Sequence, residues 1–240
     1  MNKIVIPPKI IKDINKLKKV RGVLLTGSRV LGKASQNADW DFFILLIDGA
    51  PRWRRTWKVG DTWLEVFAND QAQIKKYFKE NIKNGRGIDI MMFATGQIVR
   101  DDNKQVVARL VKQAKQLWQK GPAVVSQKER RWIDYNVATY IQDLEDIILD
   151  DNEAILLINH VVEEMVNYYY RLERLWLPRP KDRLADFKRR EPKLYGFIKK
   201  IQTVSDWKQN AREAIKLATA LGKKFRLKMD GQIYIPPEKK

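Results

Sequence analysis

Residues 22–47 read GVLLTGSRVLGKASQNADWDFFILLI, and few folds accommodate that order. An apolar run, Val23 to Leu25, stops at Thr26-Gly27-Ser28. After a polar loop, Asp39-Trp40-Asp41 leads directly into a second apolar run, Phe42 to Ile47. Side chains alternate along a strand, so Asp39 and Asp41 share one face while Trp40 takes the other and packs. Two neighbouring carboxylates repel each other and lose hydration. A divalent cation held between them relieves both costs.

The chain around this stretch has 240 residues, 44% of them hydrophobic and 32% charged. That length supports one large domain or two small ones with a real core, and the balance fits a globular chain. No stretch is long and apolar enough for a membrane helix, and the N-terminus lacks the features of a secretory signal. With no cysteine, disulfides and thiolate metal sites are excluded, and a cytoplasmic location is the default expectation. The net charge of +18 is unevenly spread. The first 120 residues carry 24 Lys and Arg against 11 Asp and Glu, while between Arg131 and Arg171 there are nine acids and no Lys or Arg. Basic surface attracts phosphates, of nucleotides or of nucleic acid, and acidic surface attracts cations.

In chain order, residues 9–20 have the spacing of an amphipathic helix, and residues 28–32 form a short helix or turn. Residues 39–47 form a strand, and residues 52–59 and 62–67 pair as a β-hairpin around Gly60-Asp61. A helix is expected over 70–82, a strand over 87–93 (GIDIMMF) and a helix over 103–118. Lys120-Gly121-Pro122 marks a boundary. Ser126 and Glu129 then form a capping-box pattern ahead of a long helix through Leu149. Asp150-Asp151-Asn152 caps a second long helix ending near residue 177. Shorter helices are expected over 182–190 and 193–203, and a last one from Ser205-Asp206 to about residue 229. The tail QIYIPP gives the one strand signal of the second half. The expected architecture is an α/β (α+β) domain with a small mixed sheet over residues 1–120, followed by an all-α helical bundle over 121–240.

Gly27 to Lys33 is most of a phosphate-binding loop of the Walker A kind, G-x-x-x-x-G-K. The following residue is Ala34, where that loop places Ser or Thr, and a strand follows where it requires a sustained helix. A true P-loop is therefore rejected. Ser28 and Lys33 remain candidates to meet phosphates in another geometry.

Gly27-Ser28, the polar loop, Asp39-x-Asp41 and the strand behind them together resemble the nucleotidyltransferase superfamily, which has the polymerase-β-like fold. The resemblance implies a Gly-Ser phosphate cradle in which Gly27, Ser28, Arg29 and Lys33 bind the nucleotide. It also implies two acids and a third carboxylate from a later strand, holding two Mg2+ ions, with Mn2+ as the alternative. The implied reaction is attack on the α-phosphorus of an NTP, ATP first among them, with pyrophosphate leaving. Glu65 is the expected third acid, because a glutamate between Leu64 and Val66 is costly in a strand unless it has a task. Asp89 is its competitor, read otherwise as an edge-strand charge.

A nucleotidyltransferase domain followed by a helical bundle is similar to the antibiotic nucleotidyltransferases of the kanamycin and lincosamide type. In those enzymes the bundle helps to bind the acceptor. By that resemblance Glu163 or Glu164 is a candidate general base, and an active site shared across a homodimer is left open. His160, the one histidine, is read as a structural helix residue, and Arg52, Arg54 and Arg55 as lying near the triphosphate mouth. The acidic segment from Asp134 to Glu164 favours a cationic, aminoglycoside-like acceptor. The alternatives are an RNA or protein acceptor gripped by basic surface, and a catalytically silent partner of the toxin–antitoxin kind.

Overall fold

The computed structural model describes residues 3–150, the side chain of Asp150 excepted, and residues 154–229. By contacts the chain divides into two compact units, Met1–Pro122 and Ala123–Lys240.

The first unit runs α1 (Pro8–Ile14), β1 (Val20–Thr26), α2 (Gly27–Val30), β2 (Trp40–Leu46), β3 (Trp53–Val59), β4 (Thr62–Asn69), α3 (Gln71–Asn84), α4 (Ile88–Thr95), β5 (Gln97–Arg100) and α5 (Val106–Lys120). Its five strands lie in the order β3-β4-β2-β1-β5. β1 pairs antiparallel with both β2 and β5. β3 and β4 form the antiparallel hairpin expected around Gly60, and β4 then lies parallel to β2. The chain achieves this parallel pair by returning along the edge strand β3. Arg54, Arg55 and Lys58 give that edge the charge that discourages further strand pairing.

Alternation divides the sheet into two faces. On one, Phe42, Ile44 and Val66 are buried in a cluster with Ile10 and Ile14 of α1. On the other, the Phe43 ring meets Phe93 of α4 edge-on at 4.7 Å, and Phe93 meets Phe78 of α3 at 5.4 Å. Each of these rings is at most 2% exposed, and burial of such a side chain contributes roughly 1.5–3 kcal/mol.

The expected strand over 87–93 is a helix, α4. Its competing signal was a short apolar run, which suits either a buried strand or a buried helix. Asn81 decides between them. Its Oδ1 accepts from the amides of Asp89 (2.8 Å) and Ile90 (3.4 Å), capping the helix from outside. Ile90 and Phe93, one helical turn apart, then both reach the core. β5, pairing with β1 at Leu24 and Leu25, was not foreseen. The first helix is also shorter than expected, ending at Ile14.

The second unit holds α6 (Gln127–Asp150), α7 (Ile155–Leu172), α8 (Pro180–Arg190), α9 (Pro192–Thr203) and α10 (Trp207–Phe225). α10 is central: Ala211, Ala214, Leu217, Ala218 and Leu221 are all buried at helical spacing, and α6, α7 and α9 pack on it. Asp206 caps it, accepting from Lys208 N at 2.9 Å. Ser126 Oγ accepts from Glu129 N at 3.1 Å, as a cap should. The Glu129 carboxylate turns away to form a two-pronged pair with Arg171, Oε2 lying 2.8 Å from Nη2. The expected cap at residues 150–152 and the tail strand fall outside the described residues. Among the described residues no helix is long and apolar enough to cross a membrane.

Candidate active site

Asp39, Asp41 and Glu65 come together at one end of the sheet. Each offers one carboxylate oxygen, and these three atoms lie within 4.8 Å of one another. Backbone pairing brings this about. Asp41 is the second residue of β2, and its partner across the parallel ladder is Glu65 of β4. Asp39 precedes β2 by one residue and shares the side of Asp41, while Trp40 is buried on the α1 face. All three acids are half-buried. Three carboxylates this close, supplying only oxygen ligands, suit a hard divalent cation such as Mg2+ or Mn2+.

Asp89, the competitor for third acid, is outside this group. It sits in α4, where Asn81 Nδ2 donates to its Oδ2 at 2.9 Å, and burial pushes its carboxyl above the ordinary value.

Gly27 follows β1 directly and lies against Asp41, with Thr26 and Asp41 paired across the antiparallel ladder. Its φ is +78°, and a Cβ there would fall 1.8 Å from Asp41 Oδ2. Glycine alone meets both conditions. The adjacent Ser28 is buried, and its carbonyl accepts from Lys33 N at 2.9 Å, closing the turn.

Arg29 is placed differently from a free phosphate ligand. Its Nε donates to the Asp39 carbonyl at 3.0 Å and its Nη2 to the Ala38 carbonyl, and the guanidinium lies 4.3 Å from the centroid of Trp40. It ties the loop carrying Asp39 to the α2 turn. Nothing in the sequence signals this, because both acceptors are backbone carbonyls brought near only by the fold.

Arg54 also has a role that its sequence does not announce. It reaches across from β3 to pair with Glu65, with Nε donating to Oε1 at 2.9 Å, and its guanidinium lies 4.6 Å from the Phe67 centroid. Next to it a cavity of about 430 Å³ is lined by Phe43, Arg52, Arg54, Phe67, Tyr77 and Asp89, with Trp53 and Asn69. The available signal was the spacing Glu65–Phe67–Asn69, which puts an acid, a ring and a buried amide on one face.

In the second unit, Glu163 pairs with Arg183 at 2.9 Å, and Glu164 accepts from Asn167 Nδ2 at 2.9 Å. His160 Nε2 lies 3.0 Å from the Tyr140 hydroxyl. Asp134, from the same acidic segment, is buried and paired with Arg130 at 3.3 Å.

Residues 8–116 match the family model described as a nucleotidyltransferase domain. No curated protein matches the chain in sequence. Among solved structures, a nucleotidyltransferase-like protein from Exiguobacterium sibiricum 255-15 superposes with a TM-score of 0.54 at 11% identity, covering 92% of this chain and 74% of that one. At that identity the likeness speaks for the fold. The sequence match runs over the sheet, the Gly27 turn and all three acids, and it is in these residues, 8–116 of the first unit, that the chain resembles the nucleotidyltransferase domain family.

Proposed function

We propose that the protein is a metal-dependent enzyme that transfers a nucleoside monophosphate from an NTP, with ATP the first choice, to a hydroxyl on a small acceptor. The observation that carries this reading is the convergence of Asp39, Asp41 and Glu65 within 4.8 Å beside a turn that only glycine fits. Three carboxylates so arranged repel one another, and a divalent cation held among them relieves that repulsion.

In this reading Asp39, Asp41 and Glu65 hold Mg2+, or Mn2+ in its place. The bound ions would neutralise charge on the triphosphate and lower the cost of ionising the acceptor hydroxyl. The backbone at Gly27-Ser28 and the Ser28 hydroxyl face the phosphates, with Lys33 as a further cation for them. Arg29 orients Asp39. The acceptor oxygen bonds to the α-phosphorus as the bond from that phosphorus to its bridging oxygen breaks. Pyrophosphate leaves with the electron pair, and the hydroxyl proton passes to a carboxylate. Glu163 and Glu164 are the candidates for that base from the second unit.

The decisive experiment is incubation with α-labelled NTPs, Mg2+ and a panel of acceptors. Label on an acceptor, with stoichiometric pyrophosphate, supports the reading. No transfer by the intact protein to any acceptor, with no pyrophosphate released, refutes it.

A further inference from the structure

We infer that the cavity beside Glu65 receives the acceptor, and that this acceptor joins an anionic group to a planar or apolar one. The inference rests on the transfer reading above and deepens it.

Position is the first argument. Phe43 and Phe67 are partners across the β2–β4 ladder, each two residues beyond Asp41 and Glu65 on the same face. The cavity floor therefore begins about 7 Å from the acids. It lies on the β4 and β3 side of them, whereas the Gly27 turn abuts Asp41 from the β1 side. In an in-line displacement the entering and leaving oxygens stand on opposite sides of phosphorus. With the phosphates at Gly27, the entering hydroxyl comes from the Glu65 side, the side on which the cavity lies.

Chemistry is the second argument. Phe67 is the half-buried floor. Arg52 and Arg54 are exposed on the wall. Arg52 Nη1 donates to the Tyr77 hydroxyl at 3.1 Å, and that hydroxyl donates to Asn69 Oδ1 at 3.2 Å, which fixes the wall. The one acid of the lining, Asp89, has its Oδ2 occupied by Asn81, and burial biases it toward its neutral form. A cationic acceptor would meet the exposed Arg52 guanidinium here, and Arg54 beside it is held by Glu65. An anion finds charge-assisted donors, and a ring or apolar segment finds a phenyl face.

The test uses the full chain and phenyl phosphate as the probe, with inorganic phosphate and benzylamine as controls, followed by calorimetric titration in the presence of saturating ATP. The expected result is saturable binding of phenyl phosphate, about tenfold tighter than inorganic phosphate, with none of benzylamine. Arg52→Ala, an exposed change that leaves the core intact, should weaken the probe about tenfold and leave ATP affinity within about twofold. Displacement of the probe by ATP, indifference to Arg52→Ala, or tighter binding of benzylamine would each overturn the assignment. The two readings fail separately. Probe binding that depends on Arg52, without transfer to any acceptor, removes the catalytic reading alone. Transfer to an acceptor whose KM ignores Arg52 removes the cavity alone.

Discussion

Gly27, the first residue after β1, touches Asp41 of the adjacent strand β2 so closely that a single methyl on Gly27 would overlap the Asp41 carboxylate, 1.8 Å from its Oδ2. The glycine turn and the acid of β2 are thus one steric unit. Gly27→Ala must either push Asp41 aside or abandon its positive φ. We expect a stability loss of about 1–2 kcal/mol and a fall in turnover of about a hundredfold or more. Thermal unfolding and α-label transfer read the two effects separately.

Asp41→Asn removes a charge from the cluster and keeps the shape of the side chain. Transfer should fall by about a thousandfold or more, while the melting temperature holds or rises because carboxylate repulsion is relieved. Mn2+ binding, followed by electron paramagnetic resonance, should weaken in parallel. Undiminished Mn2+ binding would remove Asp41 from the ligand set.

Arg29→Met keeps much of the stem over Trp40 and deletes the donors to the Ala38 and Asp39 carbonyls. If Arg29 acts by holding the Asp39 loop, Mn2+ affinity measured without nucleotide should drop by about tenfold. A phosphate-binding Arg29 would instead leave the metal-only measurement unchanged and weaken NTP binding.

For the base, Glu163→Gln and Glu164→Gln should be compared in one assay. The residue that takes the acceptor proton should lose turnover by about a hundredfold with NTP affinity retained. Glu163 also pairs with Arg183, so its variant carries a thermal-stability control. A wild-type rate in either variant excludes that residue.

Asp89 supplies a pH signature. Burial raises its carboxyl in the folded state, and a raised acid contributes stability that is present at low pH and lost as pH climbs through its folded value. Relative to wild type, Asp89→Asn should therefore gain melting temperature progressively from acid to neutral pH. Parallel melting curves across that range would show that Asp89 ionises without penalty.

Residues 22–47 were legible because their message is local: two apolar runs, a glycine turn and an alternating acid pair each imply their own geometry. Glu65 was legible one step further out, through the hairpin that returns β4 beside β2. Legibility ended where long-range partners decide. The run at 87–93 has no periodicity of its own, and it becomes helical because Asn81, on another helix, caps it. Arg29 and Arg54 looked like free cations because their acceptors, two loop carbonyls and Glu65, are adjacent only after folding. The cavity beside Glu65 is lined from β2, β3, β4 and two helices, and no linear spacing encodes a space bounded by five elements.

The parallel ladder between β2 and β4 also determines which changes of length the chain can absorb. Asp41 faces Glu65 because Phe42 faces Val66 and Phe43 faces Phe67. Deleting one residue from the first half of β4 would exchange inside for outside along the strand, sending the acid toward α1 and an aliphatic side chain toward Asp39 and Asp41. The loop at 48–51 and the turn at Gly60 carry no such parity and can lengthen freely. Insertions and deletions across variants of this chain should therefore gather at those two turns and stay out of the strands between them, a pattern set by backbone arithmetic before any selection on chemistry.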